Sequence, residues 1–190
     1  MENELEILPF ETSANWRSWL EKNHDKVLGV WIKFFKKASG IKTITYAEAL
    51  DEALCFGWID SQSKSIDDIS FKQKFTPRGS KSIWSKVNTE HVERLIAADR
   101  MTLAGFQKIE EAKKDGRWER AYDSASNTVI PKDFLEELHK NKKAESFFKT
   151  LNKANVYAIT WRLQTAKKPE TRAKRMNVIL QMLSNGEKFH

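Results

Sequence analysis

The segment Arg78-Gly79-Ser80-Lys81-Ser82 places two cations, two hydroxyls and a glycine within five residues. Cations and hydroxyls beside exposed backbone amides are the chemistry that cradles an anion. The segment is not a Walker A loop. Lys74 stands where that motif needs its first glycine, and the Gly-Lys-Ser/Thr ending is missing. The competing reading is an exposed turn held by hydroxyl-to-backbone bonds. Trp58 and Asp60 lie two residues apart just upstream, at strand spacing, and Trp84 lies just downstream. A carboxylate beside indole rings can carry a raised pKa and act as an acid or base. Ligand binding is therefore expected at Trp58, Asp60, Arg78, Ser80, Lys81, Ser82 and Trp84. Asp60 has a plainer reading as a carboxylate paired to Lys or Arg. An enzyme with a cleft of Trp58, Asp60 and Arg78 is an alternative.

Other chemistry finds little support in the letters. Cys55 sits between Leu54 and Phe56, which suits a buried small side chain rather than a reactive thiolate. His24, His91, His139 and His190 are scattered without metal-ligand spacing. There is no Gly-X-Ser-X-Gly elbow and no glycine-rich dinucleotide fingerprint. No catalytic residue, metal or cofactor is expected.

The net charge of +7 is uneven. Residues 131–190 hold 13 Lys/Arg against 6 Asp/Glu, while residues 1–130 hold 20 of each. A basic region attracts nucleic acid, acidic protein surface or phospholipid headgroups. Lys168, Arg172 and Arg175 form a second candidate face on the last helix. Arg172 is alternatively an inward clamp to an acid of the N-terminal part. Nucleic-acid binding through this third is a further alternative. Trp58, Phe71, Phe75 and Trp84 interleave with Lys72 and Lys74, as in single-strand binders. Strand alternation, however, sends the aromatics to one face and the lysines to the other.

These residues need elements to position them. Trp16, Trp19 and Leu20 predict a helix over 12–24, capped by Thr12 or Ser13. Val27, Val30, Trp31, Ile32, Phe34 and Phe35 predict a strand over 27–36, buried on both faces. Thr45 and Glu48 have capping-box spacing, opening a helix whose apolar face is Tyr46, Ala49, Leu50, Ala53 and Leu54 and which Gly57 stops. Residues 58–76 read as a strand meander with Asp67-Asp68 holding its turn. Val92, Leu95 and Ile96 mark one later helix, and Leu103, Phe106 and Ile109 another. Trp118 and Tyr122 mark a short third, and residues 123–130 a polar linker. About four short helices follow from Pro131 to Gly186. The fold class is α+β: a small antiparallel-rich sheet with helices on one side, then an all-helical C-terminal part. The expected division is 1–122, linker 123–130 and 131–186. An acidic start, a lone cysteine and no run near ~18 apolar residues predict a cytoplasmic chain without a membrane span.

Several blocks resemble one family. Tyr46-Ala-Glu-Ala-Leu-Asp-Glu-Ala-Leu-Cys-Phe-Gly-Trp-Ile-Asp60 looks like the N-terminal signature of the bacterial YdeI/OmpD-associated, bacteriocin-protection proteins. The block from Phe75 to Asn88, with Pro77-Arg78 ahead of Ser82 and Trp84, is similar to a second signature. Ala112 to Trp118, Ala121 to Asp123, Ala144 to Phe148 and Ala166 to Arg175 are similar to later parts. The resemblance implies a role in tolerance to cationic antimicrobial peptides or bacteriocins and no established reaction; the residues at Arg78–Trp84 add the expectation of a non-enzymatic protein that binds an anionic ligand or protein partner. The resemblance implies a porin association by name only, and no catalytic residues.

Overall fold

The computed structural model describes residues 5–189. They fall into two compact units, residues 5–83 with 88–119, and residues 84–87 with 120–189. The architecture is α+β, a sheet with helices followed by a helical C-terminal part.

The first unit is built on a four-stranded sheet in the order β1-β2-β4-β3, from β1(Ile7–Pro9), β2(Val30–Phe35), β3(Trp58–Ser65) and β4(Ser70–Pro77). β-Branched and aromatic residues make β2 a strand former at every position but Lys33. β4 pairs antiparallel with β2 and β3, while β1 runs parallel to β2. The β3–β4 turn is held by Asp67, whose carboxylate accepts from the Ile69 amide at 3.0 Å and the Ser70 hydroxyl at 2.7 Å.

One sheet face is the core. Val30, Ile32, Phe34 and Phe75 are buried there with Trp16 and Leu20 of α1(Ser13–Asn23). The Trp16 ring lies 5.8 Å from that of Phe75 and 6.2 Å from that of Trp58. Thr12 caps α1 by accepting from the Asn15 amide. The capping box of Thr45 and Glu48 opens α2(Tyr46–Cys55), and Ala49, Leu50, Ala53 and Leu54 are buried. Trp16 Nε1 donates to the Ala49 carbonyl at 3.0 Å, so an indole ties α1 to α2.

The end of α2 meets the start of α4(Leu103–Lys114) at very close range. Both the amide and the hydroxyl of Thr102 donate to the Cys55 carbonyl, at 3.1 and 2.7 Å. A Cβ on Gly105 would lie 2.3 Å from that same oxygen, so only glycine lets the backbones approach. Above this junction Glu52, 4% exposed, accepts from Arg17 at 2.9 Å and Arg100 at 2.7 Å. Asp51 binds Arg94 of α3(Lys86–Ala97) at 2.6 Å, with His91 at 3.3 Å. A buried carboxylate is tolerable here because both its oxygens meet guanidinium groups.

The second unit has α5(Lys132–His139), α6(Lys142–Phe148), α7(Lys153–Gln164) and α8(Pro169–Ser184). Phe134, Leu138, Ala144, Ile159, Leu163, Met176, Ile179 and Leu183 form its core. In the same unit Ser85 bridges to Tyr122, and the Lys86 amide donates to the Tyr122 carbonyl at 2.9 Å.

Several expectations need correction. The strand β2 is buried on both faces only at its start, where Trp31 joins Val30 and Ile32; farther along, Lys33 and Phe35 are half-exposed. The strand β1 gave no signal, being three residues that end in proline. No helix forms around Trp118 and Tyr122; the chain turns there and Tyr122 enters the bridge. Tyr46, Ile96, Leu103 and Phe106 carry the right spacing but are exposed.

Candidate anion-binding face

Strand alternation sorts the sheet's side chains into two chemically different sets. Residues directly opposed across a ladder share a face. Val30 opposes Phe75 and Ile32 opposes Gln73, which belongs to the core side. On the other side Lys33 opposes Lys72, and Lys72 opposes Lys64. The three lysines form a row across β2, β4 and β3. Trp31 opposes Lys74 in the neighbouring row. Every lysine in the four strands, Lys33, Lys64, Lys72 and Lys74, therefore lies on one face. The single carboxylate in the strands, Asp60, opposes Phe75 and lies on the other.

The row is placed against its own electrostatics. Like charges directly opposite each other weaken a sheet, and here two such pairs share Lys72. Aromatic rings provide part of the compensation. Lys64 Nζ lies 5.5 Å and Lys72 Nζ 4.8 Å from the Trp31 ring centroid, and Lys33 Nζ lies 4.8 Å from that of Phe35. Such contacts contribute roughly 0.5–1 kcal/mol each at exposed sites. Asp67, in the β3–β4 turn, interacts with Lys33 of this row. The Ser70 hydroxyl holds its carboxyl below the usual range, with Lys33 adding to the effect. Lys33, Lys72 and Lys74 are half-exposed and Lys64 is exposed. Mobile ammonium groups with three donors each suit phosphate or carboxylate oxygens.

Of the residues expected to bind ligand, Trp58, Asp60, Arg78, Ser82 and Trp84 make structural contacts, and Ser80 and Lys81 are exposed. Trp58 is 1% exposed, and its Nε1 donates to the His24 carbonyl at 3.0 Å. Asp60 accepts from the Tyr46 hydroxyl at 2.8 Å and from Gln73 at 3.4 Å, tying α2 to β3. Arg78, 3% exposed, donates from Nη1 to the Ile83 carbonyl at 3.2 Å. The loop is a closed turn. The Gly79 amide donates to the Ser82 hydroxyl and the Ser82 amide to the Gly79 carbonyl, each at 3.0 Å. Arg117 then donates to the Ser82 carbonyl at 2.9 Å while its Nε is held by Asp115. Ser80 and Lys81 are exposed at the tip. The structure thus buries Arg78 and exposes Lys81 rather than presenting the two together. Trp84, 2% exposed, belongs to the second unit, where its carbonyl accepts from the Tyr122 amide.

The tail arginines are struts. Arg172 donates to the Leu163 carbonyl at 3.0 Å and to both oxygens of Asp133 at 2.7 and 2.6 Å. Arg175 donates to the Arg162 carbonyl at 2.7 Å and the Thr165 hydroxyl at 3.2 Å. Both therefore satisfy carbonyls at the end of α7, where cations are favoured. The clamp partner of Arg172 is an acid of its own unit. Lys168 precedes α8 and is exposed.

The sequence reading missed Trp31, Lys33 and Lys64 as partners of Lys72 and Lys74. The alternation of β4 alone shows Lys72 and Lys74 outward. Which residues of β2 and β3 join them is decided by ladder register. Burial pushes the Cys55 thiol up to about 11, with Glu52 adding to the effect. Among the described residues no group of three or more His, Cys, Asp or Glu side chains could hold a metal.

Comparison with known families gives two matches. Residues 8–108 match a family described as a domain of unknown function, DUF8412. Residues 127–186 match one described as bacteriocin-protection, YdeI or OmpD-associated. No curated protein and no solved structure matches.

Proposed function

We infer a function from the premise that the chain belongs to the DUF8412 family and carries, over residues 127–186, a segment similar to the bacteriocin-protection, YdeI or OmpD-associated family. The protein binds an anionic ligand or partner on the lysine face of its sheet and performs no reaction there. The carrying observation is the cross-strand row Lys33–Lys72–Lys64 beside Trp31, with the strands' one carboxylate on the opposite face. Four ammonium groups attract polyanions and repel cationic peptides. A part in bacteriocin or antimicrobial-peptide tolerance is therefore read as acting through an anionic partner rather than by capturing the peptide. An association with a porin would need an acidic surface on that porin. The reading takes the cytoplasm as the working compartment, where the buried Cys55 stays a thiol.

The test uses inorganic polyphosphate and titration calorimetry. The combined variant Lys33→Gln, Lys64→Gln and Lys72→Gln should lose binding while keeping its unfolding transition. Lys81→Gln and Lys168→Gln should bind as the parent does. Undiminished binding by the triple variant removes the sheet face from consideration.

A further inference from the structure

We propose that the ligand of the lysine face is single-stranded nucleic acid, with bases stacking on Trp31 and Phe35 while the lysines hold phosphates. The inference rests on the reading of the lysine face given above and names its ligand class.

The face is not merely basic. Along β2 its outward residues alternate Trp31, Lys33, Phe35: ring, cation, ring. At the usual rise of about 3.3 Å per residue, the two rings stand roughly 13 Å apart along the strand. Each ring already has ammonium groups over it, two at Trp31 and one at Phe35. The unliganded rings are thus covered in part by charges on flexible stems. A phosphate chain draws those ammonium groups away, and the ring surface they leave takes a base. Trp31 is only 9% exposed, so this uncovering is a required step of the reading.

The arrangement discriminates among polyanions. Inorganic polyphosphate or an acidic peptide satisfies the lysines but gives the rings nothing to stack. Duplex DNA keeps its bases paired and is read by a helix or ribbon entering a groove. In this unit α1 packs through Trp16 on the opposite face of the sheet. A sheet surface of interleaved rings and cations matches an unpaired strand, where phosphates and bases are offered together.

The experiment measures fluorescence anisotropy of labelled oligothymidylate of about 12 nucleotides, within the span single-strand modules occupy. The same oligonucleotide in duplex form and inorganic polyphosphate compete in parallel. The parent should prefer the single strand to the duplex. Trp31→Leu should weaken oligothymidylate binding by about tenfold or more, the range of one lost base stack, and leave polyphosphate binding within about twofold on the same basis. Trp31→Phe should restore most of the loss. Circular dichroism and the unfolding midpoint check that Trp31→Leu folds. If it does not, Phe35→Leu and the parent's preference for single strand over duplex decide the matter. Equal weakening toward both ligands, no weakening, or a duplex bound as tightly as the single strand overturns the proposal and leaves the polyphosphate-binding face standing. Failure of the parent to bind either polyanion overturns both readings.

Discussion

The salt dependence of binding gives the most quantitative check on the lysine face. Each phosphate neutralised on a single strand contributes about −0.7 to the slope of log affinity against log salt. Four lysines on the face set the parent slope near −2.8 if each meets one phosphate. Raising salt from 50 to 200 mM should then weaken binding by about 50-fold. The variant with Lys33→Gln, Lys64→Gln and Lys72→Gln keeps only Lys74, so its slope should fall to about −0.7. The same salt step should weaken its binding by about threefold. Glutamine keeps part of each stem over Trp31 and Phe35, so lost affinity reports charge more than packing. The variant also relieves two opposed like-charge pairs, at about 0.2–1 kcal/mol each, against the loss of three cation–ring contacts of similar size. Its stability should therefore stay close to that of the parent. The assay is anisotropy of a labelled oligonucleotide at stepped potassium chloride. Equal slopes for parent and variant would mean that the released counterions belong elsewhere, and the face would lose its role.

Three further outcomes concern the fold, two in the unit that holds the sheet and one in the helical unit. Replacing Glu52 with Ala strands the guanidinium groups of Arg17 and Arg100, each about a third exposed; denaturant unfolding should show a loss of about 3 kcal/mol, the low end for breaking a buried pair. Gly105→Ala drives a Cβ against the Cys55 carbonyl and Met101, so it should cost about 1–3 kcal/mol despite alanine's better helix propensity. Asp123 is held below the usual carboxyl range first by the Lys86 ammonium at 2.6 Å and then by Gln164 at 2.8 Å. Its stabilisation is present above the unfolded value of about 3.9 and fades as pH falls through the lower folded value. An Asp123→Asn variant should therefore be less stable than the parent at pH 7 and equal to it at the acid end of the titration.

Elements with strong local signals were legible in the sequence. Thr45 and Glu48 form their capping box, Thr12 caps α1, Asp67 holds the hairpin turn, and Gly57 takes a positive φ of 71°. Each is decided within a few residues. Interactions between distant segments were not legible. The pairing of β1 with β2 joins segments more than twenty residues apart through three residues, one of them proline. The turn at Arg78–Ser82 looks like an anion cradle because its residue types are right. Its carbonyl is taken by Arg117, 35 residues away, and its hydroxyl by the loop's own backbone. The candidate face was hidden for the same reason. Lys33, Lys64 and Lys72 are far apart in the chain and become neighbours only through two ladder registers, one interrupted by an irregularity between Asp60 and Ser63.

Net charge by segment also pointed away from the face, and the cause is the division of labour between the two basic residue types. The last third carries the whole positive excess, yet its arginines at 172 and 175 are spent on helix carbonyls and Asp133. The first 130 residues sum to zero, yet their sheet presents four lysines on one side. The two statements are compatible because several of the first unit's acids are engaged elsewhere: Asp51 and Glu52 on α2 against arginines, Asp60 on the core face, Asp115 against Arg117. The planar guanidinium fork suits fixed carbonyl and carboxylate partners, whereas the flexible ammonium suits a partner that arrives from solution. A neutral sum over a segment thus hides a polarised sheet. A basic sum over another includes two arginines already committed to the fold, and what marks a candidate surface is cations lying together on one face of a sheet with no carboxylate from the strands among them.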